Sequence, residues 1–170
     1  MESPASAPER RLRLWPGLVI ALLMVFAQLV LPAVRPDSSM YLILGWLVGA
    51  VLILLWWLLW SRAPWPERLG VPTLMAAGIL LASFVVHESI RSGMMGLMLW
   101  FHAIPVLALV LVVWAAGTAR WSRGPRWIAL FVLLVPACGA WALLRTHGVT
   151  GAGRSQLAWR WRPSAEEVLI

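Results

Sequence analysis

The chain contains no lysine, a single tyrosine, a single cysteine and only seven acidic residues in 170. Charged residues make up 12%, against about 25% in an ordinary soluble domain. So small a polar complement excludes a water-soluble globule. The lone cysteine, Cys138, excludes an intramolecular disulfide and any cysteine-cluster metal site. Flanked by Ala137, Gly139 and Ala140, it reads as a small packing residue. No H-x-x-x-H, H-E-x-x-H, Walker loop, dinucleotide fingerprint or G-x-S-x-G occurs. The three histidines lie on separate segments, so no metal site is expected. With lysine absent, the net charge of +7 comes from arginine alone.

What is present is apolar. Hydrophobic residues make up 61% of the chain, and there are 13 tryptophans. A bilayer span needs about 20 apolar residues. Five stretches qualify, at about residues 14–34, 41–60, 69–86, 95–118 and 125–144. The expected fold is therefore an all-α integral membrane protein, a bundle of five transmembrane helices over residues 14–145. Residues 1–13 form a cytoplasmic segment and residues 146–170 a periplasmic tail. The basic start of the chain resembles a signal peptide, but no clear A-x-A site follows the first apolar run, so an uncleaved helix is expected. Short connections containing proline or glycine, such as "VRPDSSM" and "ARWSRGPR", make sequential helices antiparallel. Pro105 and Pro136 fall inside helices, where local kinks are expected.

The arginines give an orientation. With the N-terminus in the cytoplasm, Arg10, Arg11, Arg13, Arg62, Arg68, Arg120, Arg123 and Arg126 fall inside, and the short outer loops carry only Arg35 and Arg91. Arg145, Arg154, Arg160 and Arg162 belong to the outer tail. In a soluble protein this charge would suggest nucleic acid. Between apolar runs it reports topology, and no nucleic-acid partner is expected. Trp15, Trp60, Trp65, Trp121 and Trp127 would line the inner interface, and Trp46, Trp100 and Trp141 the outer one. Gly45 and Gly49 form a G-x-x-x-G, and Gly78 and Ala82 repeat that spacing, which suits close helix packing within the bundle.

Polar residues gather on the outer side. The segment "VVHESIRSGMMG" at residues 85–96 holds His87, Glu88 and Arg91. His102 lies about 10 Å below the outer start of the fourth helix, at 1.5 Å per residue. Arg145 ends the fifth helix, and Gln28 lies in the outer part of the first. No comparable buried polar group is expected in the inner half. Ionisable residues within a membrane are candidate functional residues. Histidine beside a carboxylate and an arginine suits hydrogen bonding to a quinone carbonyl and passage of its protons. His87, Glu88, Arg91, His102 and Arg145 are thus candidate contacts for a quinone such as ubiquinone. The alternative is structural: Glu88 and Arg91 form an i,i+3 pair at a helix end, with His87 at the headgroups and His102 bonding a neighbouring carbonyl.

After residue 144 the chain turns polar and glycine-bearing, and Ser164 and Glu167 have capping-box spacing for a short helix. Here "HESIRSGMMG", "RAPWPERLG" and "LLRTHGVTGAGRSQLAWRWRPSAEEVLI" together resemble the N-terminal membrane region of bacterial PQQ-binding-like β-propeller repeat proteins, relatives of membrane-bound quinoprotein dehydrogenases. The three segments occur in the same order, and the resemblance runs from about Leu14 onward. It implies a five-helix anchor in the bacterial inner membrane, with the last segment leading into a periplasmic propeller. PQQ, its calcium ion and the catalytic residues of that family belong to the propeller, so none of them falls on a residue of this chain. The expectation is a membrane anchor whose propeller is missing or encoded separately, in contact with the lipid bilayer, a periplasmic β-propeller and membrane quinone. Two other readings are a small membrane transporter or assembly subunit, and a truncated product without independent function. Transport would require a polar path through both halves of the bundle.

Overall fold

In the computed structural model, residues 13–34, 39–149 and 155–161 are described. Six α-helices and one hairpin follow in order: α1 (Trp15–Val34), α2 (Ser39–Leu59), α3 (Trp65–Val85), a single turn α4 (Glu88–Arg91), α5 (Met98–Gly117), α6 (Arg123–Gly139), β1 (Leu144–Val149) and β2 (Ser155–Trp159). Five segments are long and apolar enough to cross a membrane: Trp15–Val34, Tyr41–Leu59, Trp65–Val85, Met98–Gly117 and Arg123–Leu143.

The helix boundaries follow from local chemistry. α3 begins a full turn before its apolar run, because Pro64 and Pro66 suit the start of a helix, where their missing N–H groups would go unbonded anyway. The segment expected to be a loop, "RAPWPERLG", is therefore largely helical, and Glu67 belongs to the first turn of α3. α5 begins at Met98 and not at residue 95. Met94 (φ 51°), Met95 (φ 58°) and Gly96 (φ 86°) form a run of left-handed backbone that reverses the chain. Only the glycine adopts that conformation freely; each methionine carries a cost of about 1–2 kcal/mol. The two prolines expected inside helices are found there, and Pro32 and Pro72 join them. α6 ends at Gly139, and the chain tightens into a 3₁₀ turn over Ala140–Leu143 before entering β1.

α5 is the hub. It packs against α1, α2, α3 and α6, and it is the most buried of the five spans. Its inward residues Ala103, Leu107, Ala108, Leu111, Val112, Trp114 and Ala115 join Ile53 and Trp57 of α2, Val71 and Ile79 of α3, and Leu130 of α6 in one core. Large apolar residues such as Leu22, Leu29, Leu81, Phe84 and Val135 point outward instead. That inverted surface is what a lipid solvent requires, and it leaves close packing, not apolar burial, to hold the helices together. The Gly78 position illustrates this: a Cβ there would lie 3.0 Å from Cys138 Sγ, so α3 and α6 approach closely at the small residues of both. The G-x-x-x-G of α2 is used by half. Gly49 packs on Met24 of α1, whereas a Cβ on Gly45 would meet nothing.

Gly17 is the tightest constraint. A Cβ there would sit 2.5 Å from the Trp56 ring, and that ring is pinned because Trp56 Nε1 donates to the Arg13 carbonyl at 3.0 Å. Gly17→Ala is expected to destabilise the α1–α2 contact by about 1–3 kcal/mol, read as a shift in an SDS unfolding midpoint. Gly45→Ala should leave the midpoint where it was.

The β-hairpin lies in the part of the chain expected to be an extended tail. β1 and β2 pair antiparallel, with Leu144 opposite Trp159, Arg145 opposite Ala158 and Thr146 opposite Leu157. The register then shifts before Val149 meets Ser155. The capping-box pair Ser164 and Glu167 lies outside the described residues.

Candidate functional site

Polar side chains collect at the two ends of the bundle. One end carries the hairpin. There His87 precedes α4, and its Nδ1 accepts from the Ser89 backbone N–H at 3.2 Å and lies 2.9 Å from Ser89 Oγ. The imidazole therefore caps the one-turn helix, taking the place a serine or aspartate usually holds. Ser89 Oγ in turn accepts from the Thr146 backbone N–H at 3.2 Å, which ties α4 to β1. The Arg160 backbone N–H donates to the Leu143 carbonyl at 2.9 Å and fixes the other strand to the end of the last span.

Of the residues proposed from the sequence, Glu88 and Arg91 come together at 3.7 Å as an i,i+3 pair with 80% and 55% of their side chains exposed. At that exposure the pair adds little stability. His102 lies one turn inside α5, with Nδ1 2.8 Å from the Met98 carbonyl and its ring edge-on to Trp141 at 6.0 Å. Arg145 is half-buried in β1. The structural alternatives for the Glu88–Arg91 pair and for His102 thus each have a matching contact, whereas His87 caps α4, a role not foreseen for it. His87 and His102 are both half-buried on the hairpin side of the molecule. Gln28 bridges helices there, donating to the Leu42 carbonyl at 3.3 Å.

The opposite end overturns one expectation. Among the described residues, the half of the bundle expected to lack buried polar groups holds the most buried ion pair. Arg126 Nη1 of α6 lies 2.9 Å from Glu67 Oε2 of α3, with 9% and 3% of the two side chains exposed. The contact is not aligned as a hydrogen bond, and both Glu67 oxygens and Arg126 Nη2 are buried without a hydrogen-bond partner. Arg126 is otherwise well held: its Nε donates to Thr118 Oγ1 at 3.3 Å, and its guanidinium carbon lies 4.8 Å over the Trp114 ring. Trp114 Nε1 donates to the Arg126 carbonyl at 2.7 Å, and the Trp114 ring meets Trp57 edge-on at 5.7 Å. Ser61, also fully buried, donates from its hydroxyl to the Trp57 carbonyl at 2.5 Å.

Sequence reasoning missed this pair for a definite reason. Glu67 sits between two prolines and an arginine in a stretch that looks like a loop, and Arg126 was read as one of several topology arginines. The available signal was Pro-Trp-Pro-Glu, a helix start with an acid in its first turn. The pair joins the first turns of two parallel neighbours, α3 and α6. Among the described residues the buried polar or charged side chains are Ser61, Glu67, Thr118 and Arg126, all at this end. Between the two ends, the buried face of α5 from 103 to 115 is apolar, so the polar clusters are not joined through the middle. Among the described residues no three His, Cys, Asp or Glu side chains come together as metal ligands would. Comparison of the chain with protein-family models, curated proteins and solved structures returns no match.

Proposed function

We propose that the chain is the membrane anchor of a PQQ-binding-like β-propeller protein. In this reading five helices cross the bacterial inner membrane, with the N-terminus in the cytoplasm and the hairpin end on the periplasmic side carrying the propeller. Three things support it: the ordered resemblance of the three segments, the excess of arginine at the end opposite the hairpin, and the hairpin itself. The hairpin carries most weight. An anchor must transmit position from helices to a β-rich domain, and here β1 continues from the last span and is bonded back to α4 through Ser89. A transporter or assembly subunit is less well supported, because the polar ends are separated by an apolar hub.

A quinone contact at the hairpin end belongs to the same proposal, with His102 beside Trp141 as its centre. The ring pair provides its own reporter. Titration of the purified protein with ubiquinone should quench tryptophan fluorescence, and His102→Ala should weaken that quenching. Equal quenching in both would remove the quinone part of the reading and leave the anchor part standing.

The anchor itself is tested by topology and by gene content. In a Cys138→Ala background, Trp161→Cys places a thiol on an exposed residue just past β2. A membrane-impermeant maleimide should label it in spheroplasts. Labelling only after lysis would overturn the orientation. The DNA following the codon for Ile170, or a neighbouring gene, should encode repeated four-stranded blades; their absence from both would overturn the anchor reading.

A further inference from the structure

We infer that the seam between α3 and α6 is a binding site for an anionic phospholipid, with the phosphate at the Glu67–Arg126 end and an acyl chain along the groove above it. The inference rests on charge and shape and does not depend on the anchor reading. At that end Arg62, Arg120 and Arg123 are exposed and Arg68 is half-buried. The described residues contain two carboxylates, Glu67 and Glu88. Glu88 is at the hairpin end, and Glu67 is buried against Arg126. Among the described residues, then, the arginines at this end have no exposed acid to balance them.

The donors are also set up for phosphate. The Arg68 guanidinium carbon lies 5.1 Å over the Trp65 ring, which holds it close to the helix start, and its Nε is buried without a hydrogen-bond partner. Arg126 Nη2 is a second buried donor without a partner, on a side chain more than nine-tenths buried. The parallel helices α3 and α6 both begin here, and neither start is capped by a side chain. Positive helix ends and guanidinium groups act together on a phosphate. Trp65 and Trp121 are exposed beside them, 68% and 54%, as rings at headgroup depth are.

The groove supplies the other half of a lipid. It opens between α3 and α6 with a volume of about 350 Å³, and its walls run from Leu74 to Val85 and from Phe131 to Ala142. Leu74 lies six residues past Arg68, about 9 Å along the helix at 1.5 Å per residue. Gly78 and Ala82 keep the α3 wall low. In this inference one phospholipid has its phosphate on the arginines and directs one chain past Gly70 and Trp127 into the groove.

The test uses the full chain in nanodiscs of phosphatidylcholine with and without phosphatidylglycerol, with retained lipid counted by native mass spectrometry. Phosphatidylglycerol should be retained in preference to phosphatidylcholine, and the preference should shrink as salt is raised. Arg120→Gln with Arg123→Gln should reduce it by about fivefold or more, and Arg68→Gln should reduce it further. Arg160→Gln, exposed at the hairpin end, should leave it unchanged. Ala82→Phe fills the groove and should lower retention of both lipids. Helical circular dichroism establishes that each variant is folded. No preference in the wild type, the same preference in the arginine variants, or loss of the lipid to inorganic phosphate but not to chloride at matched ionic strength would each overturn the headgroup assignment. Undiminished retention in Ala82→Phe would overturn the groove.

Discussion

Glu67→Ala is expected to destabilise the bundle by about 3–5 kcal/mol, the largest effect of any single carboxylate substitution in the described chain. The argument is one of asymmetry. Arg126 is 9% exposed at its side chain, and Glu67 is its counter-charge at 2.9 Å. Removing the acid leaves a guanidinium buried with Thr118 and the face of Trp114 as its remaining partners. A charge in that position cannot shed its proton as a carboxylate would take one up, because arginine stays protonated. The same physics predicts the rescue. Glu67→Leu combined with Arg126→Met removes both charges together, and such replacements of a buried pair are often neutral or stabilising. SDS unfolding followed by circular dichroism reads both. A Glu67→Ala midpoint within about 0.5 kcal/mol of wild type would mean that water reaches the guanidinium and takes the place of the acid.

The retention of such a pair has an architectural reading. Lipid offers little driving force between helices, and α3 presents Gly70 and Gly78 to Trp127, Leu134 and Cys138 of α6. A buried ion pair at their first turns selects a single register. That register also fixes where α6 ends, and so where the hairpin begins.

The sequence and the structure agree where a single physical rule dominates. Spans of about 20 apolar residues, broken by proline and glycine, are legible because a bilayer demands them. Cys138 behaves as the small packing residue expected, against Gly78. The exposed i,i+3 pair Glu88–Arg91 was likewise visible from spacing alone. Legibility fails where partners are far apart in the chain. Glu67 and Arg126 are 59 positions apart, and nothing local says that one neutralises the other. His87 was read as a ligand candidate or a headgroup contact, and its capping role became visible only with the backbone of Ser89 beside it. The hairpin was missed because its strands are short, polar and glycine-bearing, and their pairing is fixed by the end of α6 and by Ser89. Strand propensity contributes little there.

Trp114→Ala should match Glu67→Ala in size, at about 3–5 kcal/mol, and for a different reason. Trp114 is 1% exposed and sits where α5, α2 and α6 meet. Its ring edge packs on Trp57 at 5.7 Å, its face lies 4.8 Å under Arg126, and its Nε1 donates to the Arg126 carbonyl at 2.7 Å. Alanine loses all three and leaves a cavity that a rigid helical hub closes poorly. Trp114→Phe separates them. Phenylalanine retains an aromatic face for the guanidinium and much of the volume but cannot donate, so its cost should fall near 1 kcal/mol. A double-mutant cycle of Trp114→Phe with Glu67→Gln should then show an interaction energy of about 0.5 kcal/mol or more, since both residues act on the same arginine. Additive losses would mean that Trp114 stabilises the hub by volume alone. A phenylalanine variant as unstable as the alanine variant would assign the effect to the indole hydrogen bond.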